Sequence, residues 1–295
     1  MQQQDTTKRE MKRREQKKKR VRERMDTQIG IIGTGSMGCM LIRSFIRGGA
    51  AVPRNISASN RTPEAQNAIA TETGIQTADN NRTLARDSDV IILCVRQPDV
   101  VPVMEEIHDL LTDDKLLISV ASDVALSELE ALTPARVVRV IPSVTSEQLK
   151  GVSLIVFSER TTPADREQAL SLFGAVGTPV VISEQDIEPY TTLTSCAPAF
   201  FAAMVREFAK SATRMTGIPA AEAETLARET FIGTAALLEV PGTGCTDIIS
   251  RVATPGGITE EGVNVLTRDF PAVCDEIFAA TARKHAHFRD QSFGE

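Results

Sequence analysis

The stretch that most constrains this chain is Gln28–Ile42, QIGIIGTGSMGCMLI. A short apolar run enters Gly33-Thr34-Gly35-Ser36-Met37-Gly38, and apolar residues then recur at helical spacing, with Met37, Leu41 and Phe45 on one face. A glycine pattern of this spacing, after a strand and opening a helix, is the diphosphate-binding turn of a dinucleotide fold. Gly33 permits the tight turn, Gly35 lets the backbone approach the anion, and Gly38 lets helix and strand pack closely. The helix N-terminus then presents unpaired N–H groups to the diphosphate.

From Gln28 to about Ile182 short Val/Ile-rich runs alternate with segments of helical spacing. The pattern predicts a parallel sheet with helices on both faces. After about Glu184 the strand pattern ends. Phe201, Val205, Phe208, Ala212 and Met215 form a helical apolar stripe, read as either monomer core or subunit seam. Residues 220–240 are again helical in composition, and a last helix is predicted from Asp269, with Pro271 in its first turn. The fold class is therefore α/β: a Rossmann dinucleotide-binding domain over 27–183, then an all-helical domain over 184–295. Residues 1–26 form a basic leader.

That leader carries 11 Lys/Arg against 5 Asp/Glu, whereas residues 27–295 carry 22 against 34. An acidic body disfavours nonspecific nucleic-acid binding. No run of 18 apolar residues exists, so no membrane span is expected. Gly turn and Arg43 within the first apolar stretch fit a folded strand and helix better than a signal sequence. Five cysteines, odd in number and without a C-x-x-C pair, fit a reduced cytoplasmic protein with no structural metal. His285 and His287 are two apart on a helix and face different directions. Cys196 has no local base and reads as a small thiol at a helix start.

The second strand ends in SASNRTPE, without the acid that usually meets the ribose of NAD. Asn60, Arg61 and Thr62 offer donors and a fixed charge, which suits a 2′-phosphate and favours NADP(H) over NAD(H).

Two loops beyond Glu184, TSCAPAFFAAM (194–204) and RVATPGGITEEGVNVL (251–266), join GTGSMG, SNRT, CVRQP and RVVRVIPS in one further pattern. Together they resemble the pyrroline-5-carboxylate reductase family over nearly the whole chain after the leader. SNRT, RVIPSVT, GVSLIVF and SCAPAF bring it nearest the late-competence ComER-like subgroup. The resemblance implies reduction of the cyclic imine 1-pyrroline-5-carboxylate to proline with NAD(P)H. It implies a homodimer intertwined through the helical domain, with the active site between that domain and a nucleotide domain. It assigns the cofactor to Gly33 through Gly38, to Asn60, Arg61, Thr62 and Asn81, and to the turns Val95-Arg96-Gln97 and Val120-Ala121-Ser122. The substrate falls to Thr254, Pro255, Gly256, Gly257 and Thr259. In chemical terms, N–H groups at Gly256 and Gly257 are placed to receive the substrate carboxylate, and Thr259 to hydrogen-bond the imine nitrogen.

The chain departs from the family pattern where chemistry is expected. Thr194-Ser195-Cys196-Ala197-Pro198-Ala199-Phe200 replaces Ser-Gly-Ser-Gly-Pro-Ala-Tyr, Ser143 replaces an Asn, Asp123 replaces a Gly, and Ile258 replaces a Thr. Such changes weigh more on turnover than on cofactor binding. The alternatives are another small imine or keto-acid substrate, or a cofactor-binding regulatory role in competence or development.

Overall fold

The computed structural model describes residues 27–292, with side chains described to residue 286. The basic leader 1–26 and the side chain of His287 lie outside the described residues. The chain divides into two compact units that meet in sequence at Ser195/Cys196.

The first unit is built on eight strands: β1 (Ile29–Ile32), β2 (Ile56–Ser59), β3 (Gln76–Thr77), β4 (Val90–Leu93), β5 (Leu116–Ser119), β6 (Arg136–Ile141), β7 (Gly151–Phe157) and β8 (Gly177–Val181). They form one sheet in the order β3-β2-β1-β4-β5-β6-β7-β8. The helices are α1 (Ser36–Arg47), α2 (Pro63–Thr73), α3 (Asn81–Asp87), α4 (Gln97–Ile107), α5 (Leu126–Ala131), α6 (Pro163–Gly174) and α7 (Ile187–Thr191). Strands β1 to β6 run parallel. The sequence order reverses between β1 and β4, which opens a crevice beyond their C-terminal ends, where doubly wound sheets bind ligands.

The central strands read as unbroken apolar runs because both their faces are covered. Alternate residues feed two cores. Ile31, Ile92 and Ile118 pack with Leu41, Phe45 and Phe173, the two rings meeting edge to face at 5.6 Å. Ile32, Ile91 and Leu117 pack on the other face with Leu84, Val100 and Met104. Each such side chain contributes about 1.5–3 kcal/mol of burial energy.

The expected parallel sheet holds from β1 to β6 and departs at one pairing. β7 runs antiparallel to β6 and carries β8 parallel to itself. The reason is length: residues 142–150 join β6 to β7, and a parallel crossover takes about a dozen residues or more. Residues 184–195 pack with this unit although the sequence pattern changes at 184. Ile187 joins the second core, and Ser195 Oγ donates to the Pro142 carbonyl at 3.1 Å.

The second unit contains α8 (Ala197–Thr216), α9 (Ala220–Leu238), α10 (Cys245–Val252) and α11 (Ile258–Ser292), and no strand among its described residues. Gly217, at φ +78°, ends α8 in the left-handed conformation, and Pro219 precedes α9. The last helix starts earlier than expected, so Pro271 lies in its interior and not in its first turn. Lacking an N–H, Pro271 leaves the Thr267 carbonyl without its helical donor, a loss water can offset because both residues are exposed. Only Ala197, Ala209 and Ala223 are buried among the described residues of this unit. Phe208 is 75% exposed and Met215 80%. The apolar stripe is therefore not a core of the single chain.

Candidate cofactor cleft and substrate loop

The glycine turn shows a separate physical demand at each glycine. Gly33 has φ +99°, and a Cβ there would stand 2.6 Å from the Cys94 carbonyl oxygen. A Cβ on Gly38 would stand 2.0 Å from the Gly33 oxygen, so helix and turn meet at van der Waals limits. Gly35 faces open space within 4 Å. It also occupies the N-cap of α1, which has no side-chain cap and no acid in its first turn. That leaves an uncapped helix N-terminus beside an open glycine, the arrangement an anion needs. The Thr34 hydroxyl is buried without a partner in the same turn. The residues present thus fit a dinucleotide diphosphate.

A cleft of about 620 Å³ opens beside this turn. Gly33 and Gly35 line it from β1, Asn60, Arg61 and Thr62 from the end of β2, and Asn81, Val95 and Arg96 from the next two connections. Thr34, Ser36, Met37 and Gly38 belong to the turn and to α1 without lining the cleft, and Gln97 opens α4 beside it. Val120, Ala121 and Ser122 follow β5, also outside the lining. The Val120 N–H continues the ladder to the Leu93 carbonyl at 3.1 Å, which sets that turn beside the β4 end.

Local hydrogen bonds mark two of these residues as scaffold. Asn60 Oδ1 accepts from the Thr34 N–H at 3.2 Å, and its Nδ2 donates to Thr62 Oγ1 at 3.1 Å. Asn81 Oδ1 accepts from Ser59 Oγ, and its Nδ2 donates to Glu106, both at 2.7 Å. These two amides are spent holding β2, the glycine turn and α4 together. Arg61 stays 84% exposed.

Sequence reasoning missed Asp79 from the β3–α3 connection, and Asp99, Pro102, Val103 and Glu106 on α4. The signal for the last four was present as helical spacing, i, i+3, i+4 and i+7, after the CVRQP turn. Cys94 also lines the cleft, and burial pushes its thiol up to about 12, so it stays protonated at neutral pH. Burial likewise raises the Cys196 thiol, which fits an inert residue at the start of α8.

Below the Val120–Ser122 turn lies an ion pair between a buried arginine and a partly exposed glutamate. Arg139 on β6 donates to Glu184 at 2.9 Å and to the Ser122 carbonyl, and Glu184 also accepts from the Leu126 N–H. The Ser143 hydroxyl donates to the Thr194 carbonyl at 3.3 Å, within a π-helical turn over Thr192–Cys196. With Ser195 on Pro142, two hydroxyls stitch the end of β6 to that turn.

In the second unit, Thr254–Gly257 forms a tight turn. The Gly257 N–H donates to the Thr254 carbonyl at 2.9 Å, and Gly256 has φ +73°, the pattern of a type II turn with Pro255 first. A Cβ on Gly257 would stand 2.8 Å from Thr254 Oγ1. The expectation that the Gly256 and Gly257 amides are both open is corrected here. Gly257 is used in the turn, and the Gly256 N–H donates to the Glu260 carboxylate at 2.7 Å. Ile258 and Thr259 open α11, where first-turn amides have no helical acceptor. Among the described residues, no group of three metal-ligating side chains occurs.

The comparisons with known proteins agree with this arrangement. Residues 184–288 match the family model "Pyrroline-5-carboxylate reductase dimerisation", and residues 28–123 match "NADP oxidoreductase coenzyme F420-dependent". A pyrroline-5-carboxylate reductase of Methanosarcina acetivorans is 32% identical over 81% of this chain and 89% of its own. The chain belongs to the pyrroline-5-carboxylate reductase family. Among its relatives in that family, ComE operon protein 4 of Bacillus subtilis is 30% identical over 88% of this chain and 95% of its own. The solved pyrroline-5-carboxylate reductase of Coxiella burnetii superposes with a TM-score of 0.83 at 25% identity, covering 89% of this chain and 98% of that one. Among the described residues, no helix is long and apolar enough to cross a membrane.

Proposed function

We propose that this protein reduces 1-pyrroline-5-carboxylate to L-proline, with NADPH preferred over NADH, as a homodimer or larger homo-oligomer. The observation that carries the reading is the open Gly35 beside an uncapped helix N-terminus at the sheet's switch point, in a chain of this family. Membership implies an NAD(P)H-dependent oxidoreductase acting on a CH–NH bond. Arg61, exposed at the cleft rim, supports the preference for a 2′-phosphate.

In this mechanism the chain's own work is orientation and charge stabilisation. Gly33 to Gly38 and α1 hold the diphosphate, Arg61 and Thr62 meet the adenosine end on the scaffold that Asn60 and Asn81 fix, Val95-Arg96-Gln97 borders that end of the cleft, and Val120-Ala121-Ser122 lies near the nicotinamide. When bound, the reduced nicotinamide supplies a hydride. The imine carbon receives it, the C=N electron pair moves to nitrogen, and a proton from solvent completes the amine. Thr259 Oγ1 donates at that nitrogen. Thr254, Pro255, Gly256 and Gly257 shape the carboxylate subsite, a reading supported by the Gly256 N–H, which donates to the Glu260 carboxylate in the free chain.

The test is NADPH oxidation by the purified protein with pyrroline-5-carboxylate, with proline identified as product. Turnover of about 1–1000 per second is expected. Thr259→Ala should cut turnover about 100-fold or more while NADPH affinity is kept. Loss of NADPH binding in that variant would remove the role given to Thr259. A second reading, another small imine or keto acid or a regulatory role, is favoured by the Ser143 hydroxyl being spent on Thr194 where the family carries an amide. NADPH binding without proline formation would select it.

A further inference from the structure

The rim of the cofactor cleft carries a three-residue charge set. Asp99 Oδ1 lies 3.6 Å from Arg61 Nη1, and Asp99 Oδ2 lies 3.6 Å from Arg96 Nε. The two arginines come from different connections, after β2 and after β4, and their side chains are 84% and 81% exposed. Asp99 is fixed in the first turn of α4, its N–H donating to the Arg96 carbonyl at 2.9 Å, and its side chain is only 35% exposed. At 3.6 Å these are loose ion pairs, too long for hydrogen bonds. A rigid carboxylate therefore sits between two mobile-length cations at the place where the 2′-position of an adenosine ribose is expected.

We propose that Asp99 sets the cofactor selectivity of this site, opposing the 2′-phosphate that Arg61 and Arg96 together attract. The inference rests on the cofactor reading above. A 2′-phosphate carries a charge of about −2 and three acceptor oxygens, so it outcompetes a single carboxylate for both guanidiniums. Binding it leaves Asp99 beside a dianion, partly desolvated and unable to move away with the helix it begins. A ribose 2′-hydroxyl meets no such repulsion, and the Asp99 carboxylate can accept its hydrogen bond, as an acid at the end of β2 does in NAD sites. The end of β2 here is Ser59, followed by Asn60 and Arg61. The acid absent there is brought to the same rim by α4.

The experiment is a binding titration of NADPH and of NADH, without substrate, on the full chain and its D99N, R61A and R96A variants. Nicotinamide fluorescence is the readout, at low and high salt. D99N should tighten NADPH about two- to fivefold, the scale of exposed charge pairs, and leave NADH unchanged or weaker. The gain should shrink in high salt. R61A and R96A should each weaken NADPH more than NADH. An NADPH-to-NADH affinity ratio that stays constant or falls in D99N overturns the proposal, as does equal weakening of both cofactors in R96A. Should D99N fail to fold, as judged by thermal unfolding, D99S takes its place with the same expected ratio. Binding of neither cofactor by the unsubstituted chain is a different result, and it overturns the cofactor reading with the inference.

Discussion

At the residue scale, the three glycines of the turn make separable claims. Gly38→Ala places a methyl against the Gly33 carbonyl, which is backbone and cannot yield as the end of a flexible side chain would. It should destabilise the first unit by about 1–3 kcal/mol, the cost of overpacking. Gly35→Ala meets open space and an ordinary φ of −75°, so stability should be kept while NADPH affinity drops. Thermal unfolding and a cofactor titration on both variants check this. Equal stability losses would mean that Gly35 is a packing residue. The glycine spacing made the turn legible from the sequence because each constraint is local. Asn60 and Asn81 were legible as cleft residues, but not their roles as scaffold. Those depend on partners such as Thr34, Ser59 and Glu106, which the sheet brings together from distant segments.

At the element scale, the strands were legible because burial on both faces leaves continuous apolar runs. β3 has two exposed residues and gives no such signal. The antiparallel β7 could have been read from the short β6–β7 connection, since length alone forbids a parallel crossover there. The sequence places the start of the last helix near Asp269 because proline favours a first turn, whereas exposure lets α11 run through Pro271. The Arg139–Glu184 pair ties β6 to the turn after β5 and to the start of α5. Glu184→Ala leaves a guanidinium whose side chain is 8% exposed without its partner. Glu184 itself is partly exposed, so the loss should be about 2 kcal/mol, below the about 3–5 of a fully buried pair. Urea unfolding measures it. A change within about 0.5 kcal/mol would show that Arg139 is held by the Ser122 carbonyl alone.

At the scale of the whole molecule, the second unit explains why the family carries a dimerisation domain. Four helices that bury three alanines and expose Phe208 and Met215 do not make a core as a lone chain. The groove along α8, α9 and α11, about 1010 Å³, is lined by Phe201, Phe208, Leu226 and Phe270 among other apolar side chains. Phe208→Asp should weaken self-association by about 2 kcal/mol or more, roughly 30-fold, the effect of losing a central aromatic anchor. Sedimentation velocity reads the change, and an unaltered assembly would place the subunit seam elsewhere.

The central claim is that this cleft delivers a hydride to an imine carbon. The direct measurement uses NADPH deuterated at both nicotinamide C4 positions, with pyrroline-5-carboxylate and the purified protein, and mass spectrometry of the product. The account predicts proline carrying a single deuterium on the ring carbon that had been the imine carbon. Bound NADPH with no deuterated proline would contradict it.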